Sequence, residues 1–211
     1  MRKLLVLSGA LLLMGVAGTA QTVEGMAKPY FASLKLGWNM PKDMTATASG
    51  FHGYAELDKG VSVSAAVGMN LRQRLRLELE LSTRSSDIAK LKGTGNSMRG
   101  DIKTRALMGN AYYDFPAVGA VQPYLTAGVG VARHDISSTA SNAAGALSAL
   151  SGNKHDNTFL YHAGLGLSYS LSQTTSADLG YRYLKSSDIE MASATYVYGT
   201  HELMAGVRVE F

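Results

Sequence analysis

Residues 74–81 read RLRLELEL. Leucine fills every second position, and a charged residue, Arg74, Arg76, Glu78 or Glu80, fills each position between. A helix would smear both sets around its surface. A β-strand points successive side chains to opposite faces, so it sorts every leucine to one side and every charge to the other. Such a strand has to separate two unlike environments. Either the leucines meet a core and the charges meet water, as in a soluble lipocalin-like barrel, or the leucines meet lipid and the charges fill a polar interior.

The same period recurs along the chain. In YFASLKLGWNM (30–40), Tyr30, Ala32, Leu34, Leu36 and Trp38 share a face opposite Phe31, Ser33, Lys35, Gly37 and Asn39. Segments 61–70, 159–171, 176–184 and 201–211 alternate likewise, while 102–115 and 121–136 are less regular but still read as strands. Eight strands are expected, at about 29–40, 60–70, 74–84, 102–115, 121–136, 158–171, 176–185 and 201–211. The connections alternate in length. Those at 41–59, 85–101, 137–157 and 186–200 are long, and those at 71–73, 116–120 and 172–175 are short. A barrel with tight turns at one membrane face and long loops at the other has this rhythm. The fold expected is an all-β, eight-stranded antiparallel transmembrane β-barrel of the outer-membrane type.

The N-terminus supports that address. MRKLLVLSGALLLMGVAGTAQ combines a basic start, a short apolar run and the small residues Gly18, Thr19 and Ala20. This reads as a cleaved signal peptide over 1–20, with the barrel domain over 21–211. Removing Arg2 and Lys3 leaves 18 basic residues against 16 acidic ones, a balance that does not suggest a nucleic-acid partner. The absence of cysteine excludes a disulfide framework.

An eight-stranded barrel has room inside for side chains but not for a wide channel. Lys35, Arg74, Arg76, Glu78, Glu80, Asp178, Arg182, Glu202 and Arg208 are therefore expected to form an internal charge network, joined by Arg72, Arg84 and Glu210. Tyr30, Trp38, Tyr113, Phe115, Tyr124, Phe159, Tyr161, Tyr181, Tyr183 and Phe211 are expected in two interfacial girdles.

Four segments, ALMGNAYYDF (106–115), VQPYLTAGVGVAR (121–133), SADLGYRYL (176–184) and HELMAGVRVEF (201–211), resemble the small eight-stranded outer-membrane barrels of the opacity-protein/OmpA-like superfamily. The likeness is greatest to surface antigens and adhesins of intracellular alphaproteobacteria. It implies a barrel in the cell outer membrane, with extracellular loops and periplasmic termini. It implies partners among outer-membrane lipid and lipopolysaccharide, the barrel-assembly machinery, and a host surface or serum protein. Phe211 resembles the C-terminal aromatic that the assembly machinery reads. The family shares no catalytic residues.

The function expected is an adhesin or antigen that binds host or environmental molecules through four long loops. The alternatives are a structural envelope protein without a specific ligand, or a narrow low-conductance pore. Candidate contact residues are Phe51, His52 and Tyr54 in the first loop and Lys154 and His155 in the third, because aromatics at loop tips are enriched in binding hot spots. A helical turn is expected around Ala144–Leu150. RSSDI (84–88) and KSSDI (185–189) read as repeated turn chemistry that ends outward-running strands. Arg133-His134-Asp135 with Ser137 holds the residue types of a hydrolase. However, His134 and Ser137 are three apart, so in a strand they face opposite ways. His134 is instead expected at a polar strand end by the outer interface. His52, His155, His162 and His201 lack metal-ligand spacing. No enzyme activity, metal or cofactor is expected.

Overall fold

The computed structural model describes residues 28–42, 44–48, 51–72, 74–92, 98–140, 152–187, 189–191, 194–196 and 199–211. The expected signal peptide and the expected turn at 144–150 lie outside them. The described residues form twelve strands: β1 (Tyr30–Pro41), β2 (Met44–Ala48), β3 (Phe51–Leu57), β4 (Gly60–Arg72), β5 (Leu75–Lys92), β6 (Met98–Asp114), β7 (Val121–Ala140), β8 (Gly152–Ser170), β9 (Thr175–Ser186), β10 (Ile189–Met191), β11 (Ala194–Tyr196) and β12 (Gly199–Glu210). Eight of these, β1, β4, β5, β6, β7, β8, β9 and β12, pair antiparallel in that order, and β12 returns to β1. The sheet is thus a closed eight-stranded barrel.

The register sets the barrel's shape. Paired residues followed once around run Phe31, Gly68, Glu78, Asn110, Gly128, His162, Leu184, Thr200, and the path returns to β1 at Pro41. The stagger from position 31 to position 41 is ten residues. With strands about 4.8 Å apart and a rise of about 3.3 Å per residue, eight strands then tilt by about 41° around a radius of about 8 Å. Each residue climbs about 2.5 Å along the axis.

The outer wall is a band of Leu34, Leu36, Leu77, Leu79, Leu81, Val129, Leu165, Leu179 and Val207, all exposed. Tyr30, Tyr113, Phe115, Tyr169 and Phe211 edge it at the end holding the termini, and Trp38, Phe159, Tyr161 and Tyr183 edge it at the other. Trp38 stands eight positions above Tyr30 on β1 and Phe159 ten above Tyr169 on β8, so the rings are about 20–25 Å apart, close to the thickness of a bilayer's apolar layer. No helix among the described residues is long and apolar enough to cross a membrane, which says nothing of a β-barrel.

At the terminal end the connections are tight. Gly119 takes φ +64° in the turn after β6, a conformation that favours glycine. Ser172 Oγ accepts from the N–H of Thr174 and Thr175 in the turn after β8.

The opposite end differs from expectation, because the strands run far into the expected loops. β5 reaches Lys92 and β6 starts at Met98, while β7 reaches Ala140 and β8 starts at Gly152. The first loop holds the β2–β3 hairpin, with β3 also pairing on β5, and the last holds β10 and β11. Above the apolar band both faces of a strand meet water, so the alternation that reveals strands in sequence disappears. For the same reason RSSDI is not a turn but mid-strand in β5. Its repeat also faces the other way, since Arg84 points inward whereas Lys185 does not.

Candidate functional site

Inside the barrel, ten charged side chains are buried: Lys35, Arg76, Arg84, Arg182 and Arg208 against Glu78, Glu80, Asp114, Asp178 and Glu202. Among the described residues the lumen is therefore neutral. Arg182 is its hub. Its guanidinium donates to Glu80 at 2.9 and 3.1 Å and to Glu202 at 2.5 Å. Arg84 adds a 3.3 Å bond to Glu202, which also accepts from Ser62. One layer toward the termini, Lys35 donates to both oxygens of Glu78 at 2.8 and 2.9 Å, and Tyr112 donates to the same carboxylate at 2.8 Å. Asn110 bridges Glu78 and Glu80 at 3.1 and 3.2 Å.

At the terminal mouth Arg76 grips Asp114 through two bonds of 2.6 and 2.7 Å. Its guanidinium carbon lies 4.6 Å from the Tyr112 ring centre and 5.5 Å from that of Tyr124. Arg208 lies 3.5 Å from Asp178, which Ser168 also contacts. Burying this many charges is tolerable only because each carboxylate is paired and hydrogen-bonded.

The other side of the lumen is apolar, with Ala106, Met108, Ala132, Leu160 and Leu184 packed together. Two aromatics need glycine neighbours to fit. A Cβ on Gly68 would collide with the Phe31 ring, and one on Gly180 would stand 2.7 Å from the Tyr124 hydroxyl. Between Tyr124, Thr126, His162 and Asp178 a cavity of about 10 Å³ remains, the size of one water molecule. Among the described residues the lumen is a plug.

Three sequence expectations need correction. Arg74 is exposed at the turn before β5, because its strand begins only at Leu75; its carbonyl accepts from the Asp114 N–H. Tyr124 is not in a girdle but inside the barrel, 6 % exposed, because β7 turns that position inward. His134 lies at the level of the outer interface, next to Arg133, but its side chain points into the barrel, where it hydrogen-bonds with Thr104 at 2.8 Å and Thr158 at 2.9 Å. Asp114 and Tyr112 are lumen partners that the sequence reading left out, since β6 showed no clean alternation. Arg72's side chain lies outside the described residues, and Glu210 is half-buried at the mouth, where it accepts from Arg208.

The candidate contact residues lie beyond the band at the long-loop end. Phe51, His52 and Tyr54 are on β3, paired with Ala48, Thr47 and Thr45. Lys154 and His155 are on β8, opposite Ile136 and Asp135. β5, β6 and β7 lie between the two groups in the sheet, so the pairing does not bring them together. Among the described residues, no three His, Cys, Asp or Glu side chains could hold a metal ion.

A stretch of 106 residues, half of this chain, is 29 % identical to the outer membrane protein PagN of Salmonella typhimurium and covers 44 % of that protein. The chain thus spans less than half the length of that relative. Among solved structures, OprG, an outer membrane protein of Pseudomonas aeruginosa, superposes with a TM-score of 0.58 at 19 % identity, over 90 % of this chain and 99 % of that one. Neisserial surface protein A superposes with a TM-score of 0.54 at 21 % identity, over 86 % and 97 %. Both likenesses are of fold. The profile described as "Outer membrane protein beta-barrel domain" matches residues 8–211, and the chain belongs to that family.

Proposed function

We propose that this outer-membrane barrel is a surface-contact protein, an adhesin or antigen that works through the sheet and loops beyond its long-loop end. One observation carries the reading: the lumen is filled by paired charges while the β7–β8 ladder continues to Ser138 and Gly152, five residues past Arg133 at the band's edge. That is about 12 Å of ordered backbone standing clear of the lipid. A plugged barrel has nothing to conduct, so such an extension serves contact. The described ends of the chain, Lys28 and Phe211, sit at the short-turn end, which supports a periplasmic side for them and an extracellular side for the ladders. The resemblance read in residues 106–115, 121–133, 176–184 and 201–211 to surface antigens and adhesins is in line with this reading, as is the fold shared with a neisserial protein named for the surface. Phe51, His52 and Tyr54, with Lys154 and His155, are the contact residues proposed, and a host surface or serum protein the partner. The chain works without enzymatic chemistry or cofactor. Phe211 is proposed as the signal read by the barrel-assembly machinery.

The test is display in a non-adherent Gram-negative host, with heat-modifiable gel mobility reporting the folded barrel. Adhesion is expected from the intact protein and lost when 41–59 and 137–157 are shortened to tight turns. Equal adhesion by the shortened barrel overturns the reading. A folded barrel that never adheres, but whose deletion sensitises cells to detergent, moves the function to envelope structure. Steady single-channel conductance would make it a pore.

A further inference from the structure

The three tight connections at the short-turn end differ in chemistry. The one after β4 reads Leu71-Arg72-Gln73-Arg74, and the one after β8 reads Leu171-Ser172-Gln173-Thr174. Both leave the apolar band at once for polar residues, as a turn in water should. The one after β6 does not. Residues 115–121 read FPAVGAV, with no polar side chain. The first six are all exposed, and Val118 is the most exposed large hydrophobic side chain among the described residues, at 79 %. An apolar patch left open at a hairpin tip marks a surface that meets something other than water.

The backbone of this turn suits a place with little water. The Phe115 N–H donates to the Pro123 carbonyl at 2.9 Å, Val118 and Val121 exchange bonds of 2.8 and 3.2 Å, and the Ala120 carbonyl accepts from the Ser170 N–H at 2.9 Å. The Gln122 side chain bends back to donate to the Phe115 carbonyl at 3.3 Å, and Pro116 has no N–H to satisfy. Most of the turn's polar groups are therefore spent on the protein itself, which lowers the cost of leaving water.

The apolar surface of the turn is also continuous with the lipid-facing wall. The Phe115 ring meets Tyr113 of the lower aromatic ring edge-on, with centres 5.2 Å apart. Val121 is paired with Tyr169 of the same ring, and Val118 is bridged to Val121. The stagger of the sheet lowers each partner by about 3 Å on passing from β8 to β7 and again to β6, so Val118 stands about 6 Å beyond Tyr169. The headgroup layer of one leaflet is about 5–8 Å thick.

We propose that turn 115–121 is a membrane anchor. It lies in the phospholipid headgroup layer of the leaflet at the short-turn end, with Pro116 and Val118 against the first acyl carbons. It holds the β6–β7 side of the barrel at a set depth, while the polar turns after β4 and β8 stay in water. The inference does not depend on which leaflet that is, nor on the contact reading above.

The chain has no cysteine, so a nitroxide label can be placed at one position at a time. The full chain is refolded into vesicles of phosphatidylethanolamine and phosphatidylglycerol as V118C and, for comparison, as Q173C. Both positions are exposed, so heat-modifiable mobility should match the parent's. Collisions of the label with oxygen, which concentrates in lipid, are compared with collisions with a water-soluble nickel chelate. The oxygen-to-nickel ratio is expected to be at least about threefold higher at 118 than at 173. A label at A117C is expected to behave like V118C, and adding Val118→Asp should return it to the Q173C value. The proposal is overturned if V118C meets the nickel chelate as freely as Q173C does. It is overturned if A117C stays shielded beside Val118→Asp, since height alone would then place the turn. It is also overturned if V118C is shielded in outer membranes isolated from cells but open in the vesicles, which would assign the turn to a protein partner.

Discussion

On β1, β5, β9 and β12 the middle of the lumen is lined by Lys35, Glu78, Glu80, Arg84, Arg182 and Glu202, whereas β6, β7 and β8 bring no charge there: Met108, Ala106, Ala132 and Leu160 pack together beside the neutral Asn110 and His162. Both sides fill the same narrow space. The charged side does so with groups that demand particular partners, and the apolar side with groups that demand only volume. Losing one member of a buried ion network strands its partners in a medium that cannot solvate them. Losing a methyl group from the apolar side opens a void whose cost depends on how far the neighbours relax.

That contrast can be broken by measurement. The largest loss is expected at the hub. Arg182→Met leaves Glu80 with Asn110 and a distant Arg84, and should cost about 3–5 kcal/mol in urea unfolding from lipid vesicles. Adding Glu80→Gln should recover part of the loss, since Glu202 keeps Arg84. A double variant less stable than the single would show that the charges are not acting as one network. Leu160→Ala, on the apolar side, should cost about 2–4 kcal/mol by the same assay; a cost above that of Arg182→Met would reverse the comparison.

The outer face sharpens it. Leu79→Arg, in the middle of the lipid band, should cost about 2–4 kcal/mol, while Ser85→Arg, higher on the same face of β5, should cost under about 1 kcal/mol. Equal costs would mean that the band lies elsewhere on the wall. Smallest of all, Arg105→Gln at the rim should change stability by no more than about 0.5 kcal/mol, because an exposed ion pair contributes little.

The two sides also differed in how well they could be read. On β5 one face is leucine and the other charged, so eight residues announce the strand, its faces and the nature of both surroundings. On β6 and β7 the inward positions include Met108, Ala106, Gly130 and Ala132, as apolar as the outward Leu107, Val129 and Val131. With no contrast between faces the period fades, and Asp114, Tyr112 and Tyr124 went unassigned or were put in the wrong place. Beyond the band the contrast vanishes for the opposite reason, since water wets both faces, and the ladders there were read as loops. The candidate contact residues were chosen by type alone, and pairing distributes them over β3 and β8.

What the chain alone settled was local: period-2 faces, eight crossings, and short connections alternating with long ones, because lipid imposes its demand on each strand separately. What needed the tertiary structure was every partnership. Lys35 meets Glu78 across 43 positions, Arg182 meets Glu80 across 102, and Ser62 meets Glu202 across 140. Those meetings follow from a ten-residue stagger around the closed sheet, and a stagger belongs to all eight strands at once rather than to any stretch of sequence.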